Sequence, residues 1–426
     1  MARAASQAKR PVLIANLAAT KLEVPDVPDR EVPLTNQISI SSRQVVALTV
    51  LMVLAFTGSL GMAFNIDAIA ISFAVGNSAA GIVASIEMMA IAMGTLLIGV
   101  VAAKMPASRI YLIGLCVVVA TNALSVLVHN VVALTALRVP SGLALGAIVA
   151  TVMATAARSN RPESTFGIIN ASVGAMGIVS GFVLPRALHL HEFLPLPTQV
   201  AGLYLVYALF SLGAFALLRA VPVAPPIEVQ PGTQPVSFPA RRWLGLLGVG
   251  VLFFGHGLLG IFIVNLGRSI GMTPEVTGYA MMIGAVLGVV APLLAGQLGT
   301  RVAALLWVMT LTLAIALCAV LLASAKSSLA FFIAAPIYGV LPMALLPVFL
   351  DALARVDTTG RLASAHPAFI LVGGAAAPFI GGALSDAGGY LANAAGVVAC
   401  AAVGALLMWG DLRSSDARRG HLVHAL

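Results

Sequence analysis

The sequence predicts an all-α integral membrane protein with twelve transmembrane helices, arranged as two six-helix halves around a central cavity. Three observations support this fold class. Only 9% of the 426 residues are charged and 60% are hydrophobic, whereas a soluble domain carries about 25% charged residues. About twelve apolar runs are long enough to span a bilayer. A proline-rich segment at 219–242 separates the first six runs from the last six.

The composition excludes several classes of protein. A soluble chain of this length could not cover its surface with so few charges, so a soluble enzyme, a disordered chain and a nucleic-acid-binding protein are all excluded. The net charge of +8 indicates Lys and Arg in cytoplasmic loops rather than a nucleic-acid partner. The apolar runs lack the alternating pattern of membrane β-barrels, and only helices supply so many spans in one chain.

We number the predicted transmembrane helices as spans 1 to 12. The first half, residues 43–218, contains spans 1 to 6, near 44–66, 80–103, 110–128, 131–156, 164–185 and 200–218. The second half, residues 243–410, contains spans 7 to 12, near 243–267, 276–298, 302–324, 328–350, 362–385 and 388–409. Residues 1–42 and 411–426 are predicted to be cytoplasmic tails, and the proline-rich segment 219–242 a cytoplasmic linker.

The basic residues predict the orientation. All but four of the 23 Lys and Arg residues lie on one side of the membrane if both termini are cytoplasmic. The exceptions are Arg186, Arg268 and Lys326 in loops on the opposite side, and Arg138 within span 4. Because basic residues concentrate in cytoplasmic loops, we expect both termini in the cytoplasm. Alanine is abundant and Arg greatly outnumbers Lys, which indicates a GC-rich bacterium and hence a multi-pass protein of the bacterial inner membrane.

Span 4 contains the most specific motif in the sequence. Arg138, Gly142 and Gly146 follow one another with three residues between successive members. This RxxxGxxxG pattern resembles a motif of the major facilitator superfamily that is associated with proton-coupled members. With the twelve spans and the basic loop between spans 6 and 7, the resemblance covers nearly the whole chain beyond the N-terminal tail. It implies the fold of that superfamily, and the chain is similar to its bacterial drug and metabolite efflux members.

Two loops match the family less closely. The loop after span 2, from Gly99 to Lys104 and Arg109, lies where the family has a glycine, an aspartate and basic residues, but the aspartate is absent. A reduced copy, from Gly296 to Arg301, follows span 8. The resemblance therefore implies the fold more strongly than it implies the family's gating contacts at the cytoplasmic side.

Glycines in spans 5 and 11 are predicted to let helices pack closely. Span 5 contains Gly177 and Gly181, and span 11 contains Pro378 and Gly381. The pattern in span 5 resembles the family's antiporter motif but lacks its Gly-Pro step. Glycine-rich helices at the fifth place of each half indicate duplicated halves, the architecture of many secondary transporters.

Four ionisable residues lie in or at the edge of the predicted spans: Asp67, Glu87, Arg138 and His256. With a rise of about 1.5 Å per residue and a core of about 30 Å, the last three are expected roughly 10 Å below the external surface. Asp67 is expected at the outer end of span 1. Ionisable residues in a membrane usually face the protein interior, so we expect one shared polar layer. The resemblance implies that spans 1, 4 and 7 surround the cavity.

This layer predicts proton coupling. Burial raises the pKa of a carboxyl group and a nearby arginine lowers it, so a carboxylate with alternating surroundings binds and releases a proton near neutral pH. We expect Asp67 and Glu87 to carry protons and Arg138 to tune them. The alternatives are an interfacial Asp67, a structural ion pair at Glu87, a structural role for Arg138, and a His256 that hydrogen-bonds a backbone carbonyl.

Further polar residues are predicted to contact a substrate. They are Asn65, Asn170, Asn265 and Tyr338, together with His256, and the alternative is hydrogen bonding between helices. The sequence contains no nucleotide-binding loop, zinc motif or nucleophile elbow. We therefore expect no metal, no cofactor and no enzymatic activity.

The expected function is secondary active transport of a small organic molecule by alternating access, by a monomer in the lipid bilayer with protons as second partner. Proton-coupled efflux by antiport is the first hypothesis. Proton-coupled uptake of a small organic acid or metabolite by symport, with Arg138 and His256 attracting the anion, is the second. A receptor or assembly factor that kept the fold without transporting is the third.

Overall fold

The structure is a computed structural model that describes residues 38–102, 105–222, 240–299, 302–356 and 361–425. These residues are almost entirely α-helical, and among them the only β pairing is an isolated bridge between Ile38 and Ser159. Most of the predicted N-terminal tail (1–37) and of the predicted linker (223–239) lies outside the described residues, as do Lys104 and Arg301.

Eleven helices in the described chain are long and apolar enough to cross a membrane. The last of them, Ala365–Arg418, has 54 residues, enough for two crossings of about 20 residues each. Non-helical backbone at Gly388 (φ −145°, ψ 18°) and Gly389 (φ 65°, ψ −173°) divides it into spans 11 and 12. The positive φ at Gly389 is a conformation that glycine adopts without strain. The predicted fold class, with twelve spans, is confirmed.

The first half contains spans 1 to 6. Span 1 consists of two helices, Ser42–Leu60 and Met62–Phe73, and spans 2 to 6 are Asn77–Ala102, Ala107–Val126, Val131–Ala157, Pro162–Leu188 and Gln199–Ala214. A short helix, Leu190–Phe193, follows span 5, and a 3-10 helix, Phe215–Ala220, follows span 6. Span 1 begins with a capping box between Ser41 and Gln44, which satisfies backbone N–H groups that have no partner within the helix.

The second half contains spans 7 to 12. Span 7 also consists of two helices, Ala240–Gly260 and Ile263–Ser269, spans 8 to 10 are Pro274–Gly299, Ala304–Ala323 and Ser328–Val356, and spans 11 and 12 share the helix Arg361–Ala425. Residues 411–425, predicted as a tail, continue span 12 as a helix. There the carboxylate of Asp416 accepts the backbone N–H groups of Ala304 (2.8 Å) and Leu305 (3.0 Å), which caps the start of span 9.

Spans 1 and 7 are interrupted at corresponding places, which the sequence did not predict. Span 1 breaks at Gly61 (φ −90°, ψ 6°), where an added Cβ would overlap the side chain of Leu184. Span 7 breaks after Gly260 and restarts beyond Phe262 (φ −100°, ψ 15°). Each span therefore ends in a short second helix that has its own direction and its own contacts.

We name the two ends of the helix bundle by the parts of the chain that lie there. The terminal end is where span 1 begins and where span 12 continues into 411–425. The distal end carries the connections at 74–76, 127–130, 189–198, 270–273, 324–327 and 388–389.

The halves pack against each other through spans 2 and 11 and through spans 5 and 8. In the first pair, an added Cβ at Gly81 would overlap the carbonyl of Pro378. In the second pair, an added Cβ at Gly181 would lie 2.6 Å from the side chain of Met282 and 2.8 Å from the carbonyl of Gly278. Such backbone-to-backbone packing requires residues without side chains at the contact.

These contacts extend from the distal end to the middle of the bundle. The deepest glycine contacts are those of Gly174 with Val289 and of Gly374 with Met88. Hydrogen bonds and ion pairs also join the halves in this distal part of the bundle. The conformation is therefore closed at its distal end.

Candidate functional site

Glu87 and Arg138 form a buried ion pair inside the first half. Glu87 lies in span 2 and Arg138 in span 4, and Nη1 of the arginine is 3.3 Å from Oε1 of the glutamate. Arg138 is 1% exposed and Glu87 7%. Of the four ionisable residues singled out in the sequence, these two are in contact.

Glycines of span 4 allow this pairing. An added Cβ at Gly142 would lie 2.6 Å from the backbone oxygen of Glu87, and one at Gly146 would overlap the carbonyl of Ile91. Span 4 therefore packs its backbone directly against span 2. Because Arg138 is one turn from Gly142, the same packing places its side chain beside Glu87. The RxxxGxxxG motif and the ion pair form one structural unit.

Arg138 has several partners besides Glu87. Its Nη1 also donates to Oδ1 of Asn122 (3.1 Å), and its Nη2 donates to Oγ of Ser125 (2.6 Å) and to a backbone carbonyl of span 3 (3.4 Å). The ring of Tyr204 in span 6 lies 4.4 Å from the guanidinium carbon, within the range of a cation–π contact. These three side chains do not stand out in the sequence, because small polar and aromatic residues are common within spans.

Glu87 has few partners. Among the described residues its carboxylate receives one hydrogen bond, the one from Arg138. Its second oxygen, Oε2, faces Gly58 of span 1, where an added Cβ would lie 4.0 Å away. Buried polar groups usually have hydrogen-bond partners for most of their lone pairs, whereas this carboxylate accepts a single bond of 3.3 Å. The surroundings therefore provide more hydrogen-bond partners for Arg138 than for Glu87.

A small cavity adjoins the pair. Spans 1, 2, 3, 4 and 6 form its walls, and Thr57, Glu87, Arg138, Ser141 and Tyr207 are among the residues that line it. Its volume is about 20 Å³, room for water but not for an organic substrate. Two buried donors of the wall, Nε of Arg138 and Oγ of Ser141, have no protein partner. The cavity thus offers polar partners to a molecule the size of water.

Asp67 does not join this pair. It is 1% exposed in the second helix of span 1, and its carboxylate accepts two hydrogen bonds from Arg268, from Nε at 3.0 Å and from Nη2 at 2.7 Å. The alternative of a water-contacting Asp67 therefore fails, and Arg268, which was expected in a loop, lies in the second helix of span 7. The pair thus lies within helices on both sides: the helix of Asp67 continues to Phe73, and that of Arg268 ends at Ser269.

His256 and Tyr338 form a separate pair in the second half. Nε2 of His256 donates to the backbone oxygen of Tyr338 (3.1 Å), and the Tyr338 hydroxyl donates to the backbone oxygen of His256 (2.8 Å). Their rings stack with centroids 4.3 Å apart. His256 thus hydrogen-bonds a backbone carbonyl, which was the alternative to a contact with substrate. The expected shared layer is resolved into three separate groups, at Glu87, Asp67 and His256.

Asn65 bridges the break in span 1. Its Nδ2 donates to the carbonyl of Gly58 (3.3 Å), and its Oδ1 accepts a hydrogen bond from the hydroxyl of Tyr207 (3.1 Å). The break leaves backbone carbonyls without helical partners, and the amide satisfies one of them. Asn65 therefore connects the wall of the cavity to the helix that carries Asp67.

The other two predicted asparagines lie near the contact between the halves. Nδ2 of Asn265 donates to Oδ1 of Asn77 in the opposite half (3.2 Å). Asn170 is exposed on span 5, one turn from Gly174 and therefore on the same side of the helix. Since Gly174 contacts span 8, Asn170 faces the opposite half nearer to the terminal end.

The remaining motif residues lie at helix ends and helix contacts. Gly99 lies near the end of span 2, Arg109 is exposed in the first turn of span 3, Gly177 and Gly181 face span 8, Pro378 contacts span 2, and Gly381 faces span 7. In the part of the chain that the structure describes, no group of three or more His, Cys, Asp and Glu side chains is placed to hold a metal ion.

The sequence profile of the Major Facilitator Superfamily matches residues 46–365. This chain belongs to the major facilitator superfamily. Membership makes it a multi-pass membrane transporter rather than an enzyme, in agreement with the eleven long apolar helices of the described chain, the last of which is divided into two spans. No individual curated protein matches the sequence.

Solved transporter structures have a similar fold. The crystal structure of the nucleoside transporter NupG matches with a TM-score of 0.64 and 14% identity, over 87% of this chain and 98% of that one. The crystal structure of a D-xylose-proton symporter matches with a TM-score of 0.66 and 12% identity, over 86% of this chain and 97% of that one. At these identities the similarity shows a common fold.

Proposed function

We propose that this transporter is proton-coupled, that Glu87 carries the coupled proton, and that a small organic molecule is exported by antiport. The observation that carries the proposal is the buried pair of Glu87 and Arg138, in which the carboxylate has one hydrogen bond of 3.3 Å. Ionisable residues inside membrane spans are costly and usually serve ion or substrate movement.

Neutralising Glu87 leaves Arg138 with other partners. Asn122 and Ser125 accept hydrogen bonds from the guanidinium, and the ring of Tyr204 faces its charge. Both protonation states of Glu87 are therefore compatible with the packing around Arg138. A proton carrier needs this property, whereas a structural ion pair relies on both charges being present.

The cavity beside the pair supports proton transfer. A proton reaches a carboxylate through a hydrogen-bonded group or through water, and a volume of about 20 Å³ admits water. An organic substrate needs a larger space. We infer that the substrate binds elsewhere, in a cleft that alternating access forms between the halves.

Asn170 is the predicted substrate contact best suited to such a cleft, because it is exposed on the side of span 5 that faces the other half. The polar groups of His256 and Tyr338 bind each other, and Asn65 binds Tyr207. We therefore assign these three residues to packing between helices rather than to the substrate.

The charge distribution supports a cytoplasmic terminal end. Exposed or partly exposed basic residues there include Arg109, Arg158, Arg161, Arg355 and Arg418. With this orientation the closed distal end faces outward, and we infer that the halves separate towards the cytoplasm, the state in which an exporter accepts its substrate. The abundance of Ala and Arg supports a bacterial inner membrane, where we expect a monomer.

Asp67 is assigned a different role from Glu87. Its carboxylate accepts two hydrogen bonds from Arg268, whereas that of Glu87 accepts one from Arg138. The pair also joins the two halves. We therefore assign Asp67 to the closure of the distal end and leave the proton to Glu87.

Uptake by proton symport is the second candidate. One of the structures with the same fold is named a D-xylose-proton symporter, and the pair of Glu87 and Arg138 would serve a symporter equally well. The two candidates differ in whether the proton and the substrate move in opposite directions or together.

Inverted membrane vesicles distinguish the candidates. Their lumen is made acidic, and a fluorescent amine that is quenched in the acidic lumen reports the pH difference. Uridine, D-xylose, benzoate and ethidium are then added in turn to the medium, which contacts the cytoplasmic face. Antiport predicts that a transported compound enters as protons leave, so that the fluorescence recovers.

Right-side-out vesicles provide the complementary measurement. Symport predicts that an acidic medium accelerates uptake of the compound, whereas antiport predicts no such acceleration. Vesicles without the protein are the control. A compound that crosses through the protein at a rate independent of the pH difference, in both preparations, would contradict proton coupling.

A further inference from the structure

Most of the hydrogen bonds that Arg138 donates have their acceptors in span 3. The contact with Glu87 is 3.3 Å long, whereas Nη2 reaches Oγ of Ser125 at 2.6 Å. Nη1 is shared between Glu87 and Oδ1 of Asn122, and the asparagine is the closer of the two at 3.1 Å. Neutral acceptors of span 3 therefore compete with the carboxylate for the same guanidinium.

The hydroxyl of Ser125 is oriented as an acceptor for Arg138. It donates its own proton to the carbonyl of Thr121 at 2.6 Å, so its lone pairs remain for Nη2. Ser125 is 1% exposed and Asn122 5%, so bulk water does not replace either acceptor. Hydrogen bonds to a charged donor in such surroundings are stronger than those between neutral groups.

We propose that Ser125 and Asn122 are positioning residues that set the pH at which Glu87 takes up and releases its proton. This inference rests on the proposed function and deepens it. The two acceptors stabilise the charge of Arg138 independently of Glu87. Protonation of the Glu87 carboxylate therefore costs less free energy, because Arg138 keeps these partners. Without either acceptor, Arg138 depends more on the negative charge of Glu87, and Glu87 binds its proton less tightly.

An infrared titration of the purified protein tests the inference without a substrate. A protonated carboxyl group gives a C=O stretching band that disappears as the pH rises. The band that is missing from Glu87→Gln belongs to Glu87, and its midpoint pH is then measured in Ser125→Ala and in Asn122→Ala. We expect both midpoints to lie roughly one pH unit below that of the wild type, which is about tenfold weaker proton binding.

Ser211→Ala is the matched control. Ser211 in span 6 is also buried, at 0% exposure, and its hydroxyl also donates to the carbonyl four residues earlier, that of Tyr207, at 2.7 Å. It makes no hydrogen bond to Arg138 among the described contacts. The substitution removes the same local bond as Ser125→Ala without changing the guanidinium, and we expect the wild-type midpoint.

The outcomes separate the inference from the proposed function. Wild-type midpoints in Ser125→Ala and Asn122→Ala would overturn the inference and leave Glu87 as the proton carrier. An equal shift in Ser211→Ala would also overturn it, because the effect would then follow from packing. If Glu87→Gln removes no band at any pH, the proposed function itself fails. Asn122 accepts from Nη1 of Arg138 and Ser125 accepts from Nη2. If one of the two variants does not fold, the midpoint of the other variant therefore still tests the inference.

Discussion

Asp67 and Arg268 join the second helices of spans 1 and 7 through two hydrogen bonds, at 3.0 and 2.7 Å. Each is the sixth residue after the one at which its helix restarts, Gly61 in span 1 and Phe262 in span 7. The ion pair therefore connects corresponding positions of the two halves. It lies at the distal end, where the halves are in contact.

Other contacts between the halves accompany this pair. The carboxylate of Asp386, in span 11, accepts the backbone N–H groups of Asn77 (2.9 Å) and Ser78 (2.8 Å). It thereby caps the start of span 2, where the helix dipole favours a negative charge. At the distal surface, Nε2 of His189 is 2.8 Å from the carboxylate of Glu275. All of these contacts have to break before the distal end opens.

Removing the charge of Asp67 is expected to favour a distally open state. In Asp67→Asn the ratio of open to closed protein should rise roughly tenfold or more, since a hydrogen bond to a charged group contributes about 1.5–3 kcal/mol. Spin labels at Val132→Cys and Leu329→Cys report the change by double electron–electron resonance. Both positions lie at distal helix ends and are exposed, at 74% and 72%. The variant should gain longer label-to-label distances.

The three native cysteines, which are free thiols, are replaced by alanine in every labelled protein. Asp351→Asn is the control, because Asp351 pairs with Arg355 within span 10 (2.9 Å) and does not join the halves. A distance distribution in Asp67→Asn identical to that of the control would show that the pair does not contribute to closure.

The bridge between His189 and Glu275 is expected to make distal closure pH-dependent. The hydrogen bond to Glu192 is the largest cause that raises the pKa of His189 above 6.5, and Glu275 raises it further. Protonated His189 carries the charge that the bridge needs, so the bridge is present below the raised pKa and is lost as the pH rises through it. The label pair should show more of the closed distance at about pH 5 than at about pH 8.

Two histidine variants test whether this pH dependence comes from His189. His189→Gln should remove it. His191→Gln should retain it, because His191 hydrogen-bonds the backbone oxygen of Leu188 (2.7 Å) and does not reach the other half. If the pH dependence survives in His189→Gln, another group is responsible for it.

A methyl group at Gly146 is expected to destabilise the first half. The added Cβ would overlap the carbonyl of Ile91 and force spans 2 and 4 apart, and overpacking of this kind costs about 1–3 kcal/mol. Gly146→Ala should therefore unfold at a lower temperature in detergent. It should also weaken the contact between Glu87 and Arg138, which depends on the same packing.

Gly213→Ala is the control for that change. No atom lies within 4 Å of an added Cβ at Gly213, and alanine is favoured over glycine inside a helix by about 0.5–1 kcal/mol. Its unfolding temperature should be equal to that of the wild type or higher. A Gly146→Ala protein as stable as Gly213→Ala would contradict the close approach of spans 2 and 4.

The spans were predictable from the sequence because hydropathy is a local property of the chain. The end of span 1 was not, because its second helix continues to Phe73, beyond the predicted run of 44–66. The predicted runs stop before Asp67 and Arg268, since each charge alone is costly in lipid. The helix of span 1 continues past Asp67, whose charge is paired with Arg268 of the other half, and no local pattern contains that relationship.

The candidate site was partly predictable for a similar reason. Glu87 and Arg138 stand out individually as charges inside apolar runs, and the glycines after Arg138 indicate a close helix contact. Asn122 and Ser125 do not stand out, because such residues are common in spans. Their spacing of three residues places both on one face of span 3. That spacing is the signal that could have pointed to them.

The central claim, that Glu87 carries the coupled proton, is tested most directly by comparing two kinds of transport in Glu87→Gln. Proteoliposomes are loaded with the compound that the vesicle assay identifies. The neutral amide imitates the protonated carboxyl group, so exchange of labelled for unlabelled compound should persist while accumulation driven by a pH gradient is lost. Asp351→Asn should retain both activities. Accumulation by Glu87→Gln at the wild-type level, in response to the same pH gradient, would contradict the account.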